Sequence, residues 1–227
     1  MFDLTLRPVA HIYTDFPSKF GVPRQSGRAP SALGTVVFEP EFRDEAALRG
    51  IEGYSHLWLI FDFSEAHRDS FSPTVRPPRL GGNTRVGVFA SRSPFRPNPI
   101  GLSCVRLVAV EKTARDGTVL RVAGADLISG TPILDIKPYL PFADAHPEAT
   151  GGFADSGRDH RLDVVFPDSL AALVPPDKLA ALVECLADDP RPSYQDDERT
   201  YSMPFASVEV DFTVADGVLT VTNVRRA

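Results

Sequence analysis

Two cysteines, two methionines and one tryptophan are all that the 227 residues carry of those types. Cys104 and Cys185 form no CxxC pair and are too few for a disulfide framework. Each has apolar neighbours in sequence, which predicts buried thiols in a reducing compartment. No apolar run is long enough to span a membrane, since Leu57–Phe61 resumes only at Phe63, after Asp62. Residues 1–20 hold charges and prolines where a secretory leader needs an apolar core, so a cytoplasmic location is expected. Excess positive charge is also missing: 24 Lys and Arg face 30 Asp and Glu, for a net charge of -6. That excludes polyanion binding through overall charge, though not through a local patch. The GxGxxG, GxxxxGK[ST], HExxH and GxSxG signatures are absent. His11, His56, His67, His146 and His160 show no ligand spacing, so no metal is expected. His56, inside an apolar stretch, reads as a core histidine. Spacing alone leaves a Ser-His-Asp hydrolase open but nominates no nucleophile.

Proline and glycine, by contrast, are plentiful, with 21 and 16 copies. They cut the chain into short pieces, which favours strands and turns over long helices. Strands are expected at Leu4–Tyr13, Gly34–Phe38, Tyr54–Phe63, Arg85–Phe89, Gly101–Val110, Thr118–Leu127 and Ile133–Ile136. A helix is expected over Asp44–Gly50, and a hairpin turn at 114–117. This count of short strands points to a barrel or sandwich. Beyond about residue 142 the composition shifts: residues 144–200 hold thirteen acidic and five basic side chains. Ser169–Leu186 has a helical period split at Pro175-Pro176, with Pro176 and Asp177 opening the second piece. Ser207–Thr213 and Val218–Val224 alternate apolar and polar residues around Ala-Asp-Gly, a hairpin pattern. The expected organisation is a main β domain over 1–142 and a small α+β appendage over 143–227.

Charge and rigidity then single out particular loops. Residues 70–110 carry Arg76, Arg79, Arg85, Arg92, Arg96 and Arg106 but no Asp, Glu or Lys. These arginines are either solvated or paired with the acidic tail, or they form a patch for oxyanions, which the planar guanidinium grips bidentately. VRPPRLGGN at 75–83 and SRSPFRPNPIG at 91–101 concentrate prolines that fix φ and glycines that free it. Such loops hold a shape, whether as rigid turns or as binding loops. KFGVPRQ at 19–25 and DLISGTPILDIKPY at 126–139 join them as polar, turn-rich segments.

Together, KFGVPRQ, RPPRLGGNTRVGVFASRSPFRPNPIGLS at 76–103 and DLISGTPILDIKPY resemble the hallmark segments of the TsaA-like family. Their order and spacing match, with SHLWLIF at 55–61 between the first two; DPRPSY at 189–194 resembles a segment of the appendage in that family. The resemblance implies a mainly β fold: a small β-barrel methyltransferase domain, neither Rossmann-like nor knotted, with a small α+β C-terminal appendage. It also implies S-adenosylmethionine as cofactor, a homodimer, and tRNA bearing N6-threonylcarbamoyladenosine beside the anticodon as substrate. Carried over by position, the cofactor contacts are Pro23, Arg24, Gln25, Ser64, Glu65, Arg92, Leu102, Asp126, Leu127, Ile128 and Ser129. Ser64 and Glu65 stand where the family often has histidine. The nitrogen to be methylated is amide-like and needs a proton acceptor, for which Asp126, Asp135 and Tyr139 are candidates; the aspartates are equally explained as structural groups at strand ends. Arg76, Arg79, Arg96, Lys137 and Arg191 are expected to meet tRNA phosphates or bases, and Tyr194 to stack. The alternative is a methyltransferase of the same fold acting on another small-molecule or nucleic-acid acceptor; a binding module without turnover is a third reading.

Overall fold

The structure is a computed structural model that describes residues 4–77, 84–155, 160–191 and 199–227. Six strands close into an antiparallel barrel: β1 (Ala10–Thr14), β2 (Leu33–Phe38), β3 (His56–Asp62), β6 (Ile100–Thr113), β7 (Gly117–Ala123) and β8 (Thr131–Pro138). Their spatial order is β1-β2-β7-β6-β3-β8, with β8 pairing back onto β1. Two short strands, β4 (Thr74–Val75) and β5 (Val86–Gly87), form a separate ribbon between β3 and β6.

The alternation along β3 shows why these residues make a barrel wall. Leu57, Leu59 and Phe61 point inward and are buried, while His56, Trp58 and Ile60 lie on the outer face. With Ile12, Val36, Val105, Leu120, Val122 and Ile133 they fill the lumen as a packed core. Gly101 stands opposite Phe61 because a Cβ there would fall 2.1 Å from the Phe61 ring. At one end, Leu48 plugs the barrel from a 3₁₀ turn at Glu45–Leu48, which Asp44 caps by accepting from the Ala46 N–H at 2.9 Å. The helix expected over Asp44–Gly50 is thus only this turn, ended by Gly50 in the left-handed region at φ 86°.

The first strand is shorter than the Leu4–Tyr13 expectation. Ala10 already faces Phe38 and Ile133, so residues 4–7 run exposed beyond both neighbouring pairings. His56 is not in the core; it is half-buried on the outer face with its Nδ1 2.9 Å from the Ser55 hydroxyl. Cys104 is likewise only half-buried, whereas Cys185 is buried. Both thiols are held above their ordinary pKa by burial, and neighbouring carboxylates add to this.

The C-terminal part is a second sheet in the order β10 (Tyr201–Phe205), β11 (Val208–Ala215), β12 (Val218–Arg226) and β9 (Asp163–Val165), the last parallel to β12. A short α1 (Pro141–Asp144) follows the barrel, and α2 (Asp168–Ala171) and α3 (Pro176–Ala187) realise the split helical period, with Pro176 as first residue of α3. Asp216 and Gly217, at φ 48° and 78°, form the expected tight turn between β11 and β12. Ala181, Leu182, Cys185 and Leu186 of α3 pack on the inner face of this sheet. Among the described residues no helix is long and apolar enough to cross a membrane.

This second core is not built from the C-terminal chain alone. Phe16, Ala29 and Ala32, from the connection between β1 and β2, are buried within it, and Phe20 and Val22 pack against it. Phe16 meets Phe205 edge to face at 5.6 Å between ring centroids. Phe16→Ala is expected to cost about 3–5 kcal/mol, the usual range for a fully buried aromatic. Urea unfolding followed by circular dichroism checks this; a loss below about 1 kcal/mol would contradict the shared core.

Candidate active site

Strand direction decides where the unusual loops lie. The end of β1 pairs with the starts of β2 and β8, the end of β3 with the start of β6, and the end of β7 with the start of β2. The connections 15–32, 63–99 and 124–130 therefore all leave the barrel at one rim. The opposite rim has only 39–55 and the tight 114–116 turn. Every proline-rich or cofactor-matched segment named from the sequence belongs to or adjoins the first rim.

Side chains from all three connections meet there. Arg92 Nη1 donates to Gln25 Oε1 at 2.6 Å, and Gln25 Nε2 donates to the Arg24 carbonyl at 2.6 Å. Asp126 lies beside the Arg92 charge and receives a hydrogen bond from the Ser103 hydroxyl at 2.5 Å. Ser103 itself is 1% exposed and projects into the barrel mouth from β6. Burial pushes the Asp126 carboxyl above its ordinary range. The Ser103 bond, the N–H groups of Asp126 and Ser26, and the Arg92 charge offset this only in part. A partly desolvated carboxylate with raised proton affinity, at a rim where three loops converge, is a candidate proton acceptor.

The adjoining segment is braced rather than loose. The Thr14 hydroxyl donates to the Leu127 carbonyl at 2.9 Å, the Thr14 N–H to Ser129 Oγ at 3.2 Å, and the Ser129 N–H to the Phe16 carbonyl at 2.8 Å. The Ile128 carbonyl accepts from Thr131 Oγ1 at 2.6 Å. Leu127 is buried among the core residues of the barrel. Ser64 and Glu65 form an exposed turn directly after β3, next to the proline-rich loop, where the Phe63 N–H donates to the Pro99 carbonyl at 2.7 Å. Leu102 is half exposed on the outer face and shares a cross-strand row with Ile60 and Asp135.

The other two proton-acceptor candidates stand on that outer face, apart from Asp126. Asp135 is paired with Lys137 at 2.8 Å. Tyr139 packs against Trp58 and His56 with ring centroids at 5.7 and 6.1 Å. Trp58 is fastened by its Nε1 donating to Asp144 at 3.0 Å; bonds from the Leu140 N–H and from Trp58 hold that exposed carboxyl below its ordinary range.

The residues expected to face tRNA divide. Arg76 is exposed on the 63–99 connection. Arg96 Nη1 donates to the carbonyls of Val88 and Ser91 at 3.2 and 2.7 Å and braces its own loop. Arg191 is buried, with its guanidinium held by Asp189 at 2.9 and 3.1 Å, so it stabilises a turn instead of presenting charge at the surface. Arg79 and Tyr194 lie outside the described residues.

Sequence reasoning missed Ser103, Arg68 and Phe95. Ser103 differs from an ordinary strand serine only in its partner across the barrel, so no local signal marks it. Arg68 stacks on Phe95 at 3.6 Å from the ring centroid, and Lys19 lies over the same ring at 5.6 Å. The Phe between two prolines was a usable cue. Among the described residues no group of three or more His, Cys, Asp or Glu is placed to hold a metal.

The family model for the "tRNA-methyltransferase O N-terminal domain" matches residues 11–145, and the "TrmO C-terminal domain" matches residues 159–227. The "tRNA (adenine(37)-N6)-methyltransferase" of Escherichia coli K12 is 39% identical over 225 residues, covering 95% of each chain. A "Probable S-adenosyl-L-methionine-binding protein" of Pyrococcus abyssi is 40% identical over 157 residues, 69% of this chain and 79% of its own. The crystal structure of TrmO from Pseudomonas aeruginosa superposes with a TM-score of 0.79 at 34% identity, covering 100% of this chain and 99% of that one.

The raised Asp126 carboxyl has a measurable consequence. A carboxyl above its unfolded value binds its proton more tightly in the folded chain, so its ionised form costs stability at neutral pH. That cost is relieved as pH falls through the raised value toward about 3.9. Relative to Asp126→Asn, the wild type is therefore expected to gain unfolding free energy as pH falls from neutral toward about 3.9. Parallel denaturation curves across that range check it, and a constant difference would refute the shift.

Proposed function

The chain belongs to the tRNA-methyltransferase O family and is a methyltransferase, and on that premise we propose that it methylates N6 of threonylcarbamoyladenosine beside the tRNA anticodon, drawing on S-adenosylmethionine in the cytoplasm. The observation that carries this reading is the meeting of Gln25, Arg92 and Asp126 from three connections, with Ser103 of β6, at one rim.

The donor set fits such a cofactor. Arg92 and Gln25 offer a guanidinium and an amide to its polar amino-acid end, and the exposed Leu102 beside Ile60 offers apolar surface to its purine. The backbone of Pro23–Gln25 and of 126–129, with Ser64–Glu65, completes the cradle, while the Arg24 side chain turns toward Asp189 and Arg191. When bound, S-adenosylmethionine supplies a methyl group already activated on a sulfonium. The protein then has to align the acceptor nitrogen and remove its proton, and alignment is the larger share. That nitrogen is amide-like, with its lone pair drawn into the carbamoyl group. Asp126 is the proposed proton acceptor, because its raised proton affinity suits it better than a surface carboxylate for taking that proton. Asp135 is engaged with Lys137, and Tyr139 packs in an aromatic cluster with His56 and Trp58 toward the other end of the barrel. Arg76 and Arg96 lie on the rim connection and Lys137 near the far end of β8; they supply sequence-blind attraction for tRNA phosphates.

We assign the active form to a homodimer. Phe89 is 75% exposed and Ile100 38%. Both belong to the segment from β5 into β6, and they offer apolar surface for a second copy to cover. Light scattering during gel filtration is expected to report about twice the chain mass at micromolar concentration; a monomer that turns over would refute this assignment.

Mass spectrometry of nucleosides tests the function itself. Threonylcarbamoylated tRNA incubated with the protein and S-adenosylmethionine should gain one methyl on the modified adenosine, and unmodified tRNA should gain none. Asp126→Asn is expected to lower turnover by about 10²-fold or more. Cofactor binding without methylation would shift the reading to another acceptor for the same barrel.

A further inference from the structure

The connection that carries Pro23, Arg24 and Gln25 is held mainly by the C-terminal part of the chain. Asp188, the residue that ends α3, is 5% exposed. Its Oδ1 accepts from Arg28 Nε at 2.5 Å and its Oδ2 from the Arg24 backbone N–H at 3.4 Å. Around it the Arg24 guanidinium donates to the carbonyls of Asp189 and Arg191 at 3.2 and 2.5 Å. Arg28 also donates to the His160 carbonyl at 2.9 Å, and its own carbonyl accepts from Arg161 at 2.6 Å. One turn earlier in α3, Glu184 accepts from the N–H and hydroxyl of Ser31 at 2.7 and 2.8 Å. At the other end of the connection Lys178 pairs with Asp15 at 2.7 Å. Gly21, at φ 94°, sits so close to Met203 that a Cβ would fall 2.5 Å from its sulfur.

Arg24 thus faces away from the rim and into the C-terminal turn, while its neighbour Gln25 faces Arg92 and, through it, Asp126. One backbone step separates the anchored side chain from the one that reaches the cradle. We propose that Asp188 is a positioning residue for methyl transfer: by fixing the Arg24 N–H and the Arg28 side chain together, it sets where Gln25 holds Arg92, and so the affinity of the cradle for its cofactor. This rests on the assignment of the Gln25–Arg92–Asp126 cluster to S-adenosylmethionine. On this view the C-terminal part preorganises one wall of the cofactor site in addition to any contact with tRNA.

The test uses the full-length protein with Asp188→Asn, and Arg28→Lys as a second variant that keeps the charge but cannot reproduce the forked contact. Steady-state kinetics on modified tRNA are read together with calorimetric titration of S-adenosylmethionine, well below each melting midpoint. Asp188→Asn is expected to raise the KM and Kd for the cofactor about tenfold, through lost preorganisation of the Gln25–Arg92 contact. Arg28→Lys should raise the same two constants by a smaller factor, and the KM for tRNA should stay within about twofold. A merely structural role would lower kcat or the active fraction and leave the cofactor KM unmoved; that pattern overturns the proposal. If Asp188→Asn does not fold, Arg28→Lys decides: unchanged cofactor affinity overturns the proposal, and weakened affinity with unchanged tRNA KM supports it. A wild-type protein that fails to bind S-adenosylmethionine would instead overturn the function on which the proposal rests.

Discussion

Six antiparallel strands can close into a barrel only if successive connections alternate between its two ends. That constraint places the 15–32, 63–99 and 124–130 connections on one rim. Residues more than a hundred positions apart, such as Gln25 and Asp126, share a site because their strands run the same way. The other rim is closed by Leu48, inserted from the 39–55 connection, and carries the tight turn at 114–116.

A second constraint is the size of the two cores. The C-terminal sheet presents Tyr201, Met203, Phe205, Val210 and Phe212 on one face, and α3 is too short to cover it alone. The β1–β2 connection completes the cover with Phe16, Ala29 and Ala32. A segment that would otherwise be a long surface loop becomes a wall with both faces occupied, one by the second core and one by the cluster of Gln25, Arg92 and Asp126. Its polar backbone is satisfied from the C-terminal side, by Asp188, Glu184 and Ala206, in keeping with the rule that buried peptide groups find partners.

Much of the barrel was legible because its strands alternate cleanly: HLWLIFD in β3 and the ARDG turn between β6 and β7 carry their structure locally. The hairpin at Asp216-Gly217 was legible for the same reason, and Pro176 marked the start of α3. The short strands β9 and β10 were not: β9 has only three residues, and β10 alternates over five but carries Pro204, which reads against a strand. Within the site, the loops announced themselves through proline and glycine, and Asp126 through the family resemblance. What linked them did not. The Ser103–Asp126 bond, the Arg92–Gln25 bond and the turn of Arg24 toward the C-terminal part each join residues far apart in sequence. Arg191 shows the converse error: an arginine in a polar segment reads as a surface charge until its burial against Asp189 is seen.

The interlocking of the first connection with the last sheet also has a consequence in time. A chain emerges from the ribosome in order, and residues 15–32 appear well before their partners on α3 and β10 to β12, Phe205 and Val224 among them. The barrel strands through β8 can pair as they emerge, whereas the apolar side of that connection stays uncovered until α3 and the second sheet have followed. Such distant pairings also carry the largest loop-closure cost and form slowly. The wall that carries Gln25 therefore matures after the barrel strands, and a nascent chain has a barrel before the Gln25–Arg92–Asp126 cluster is fixed in place.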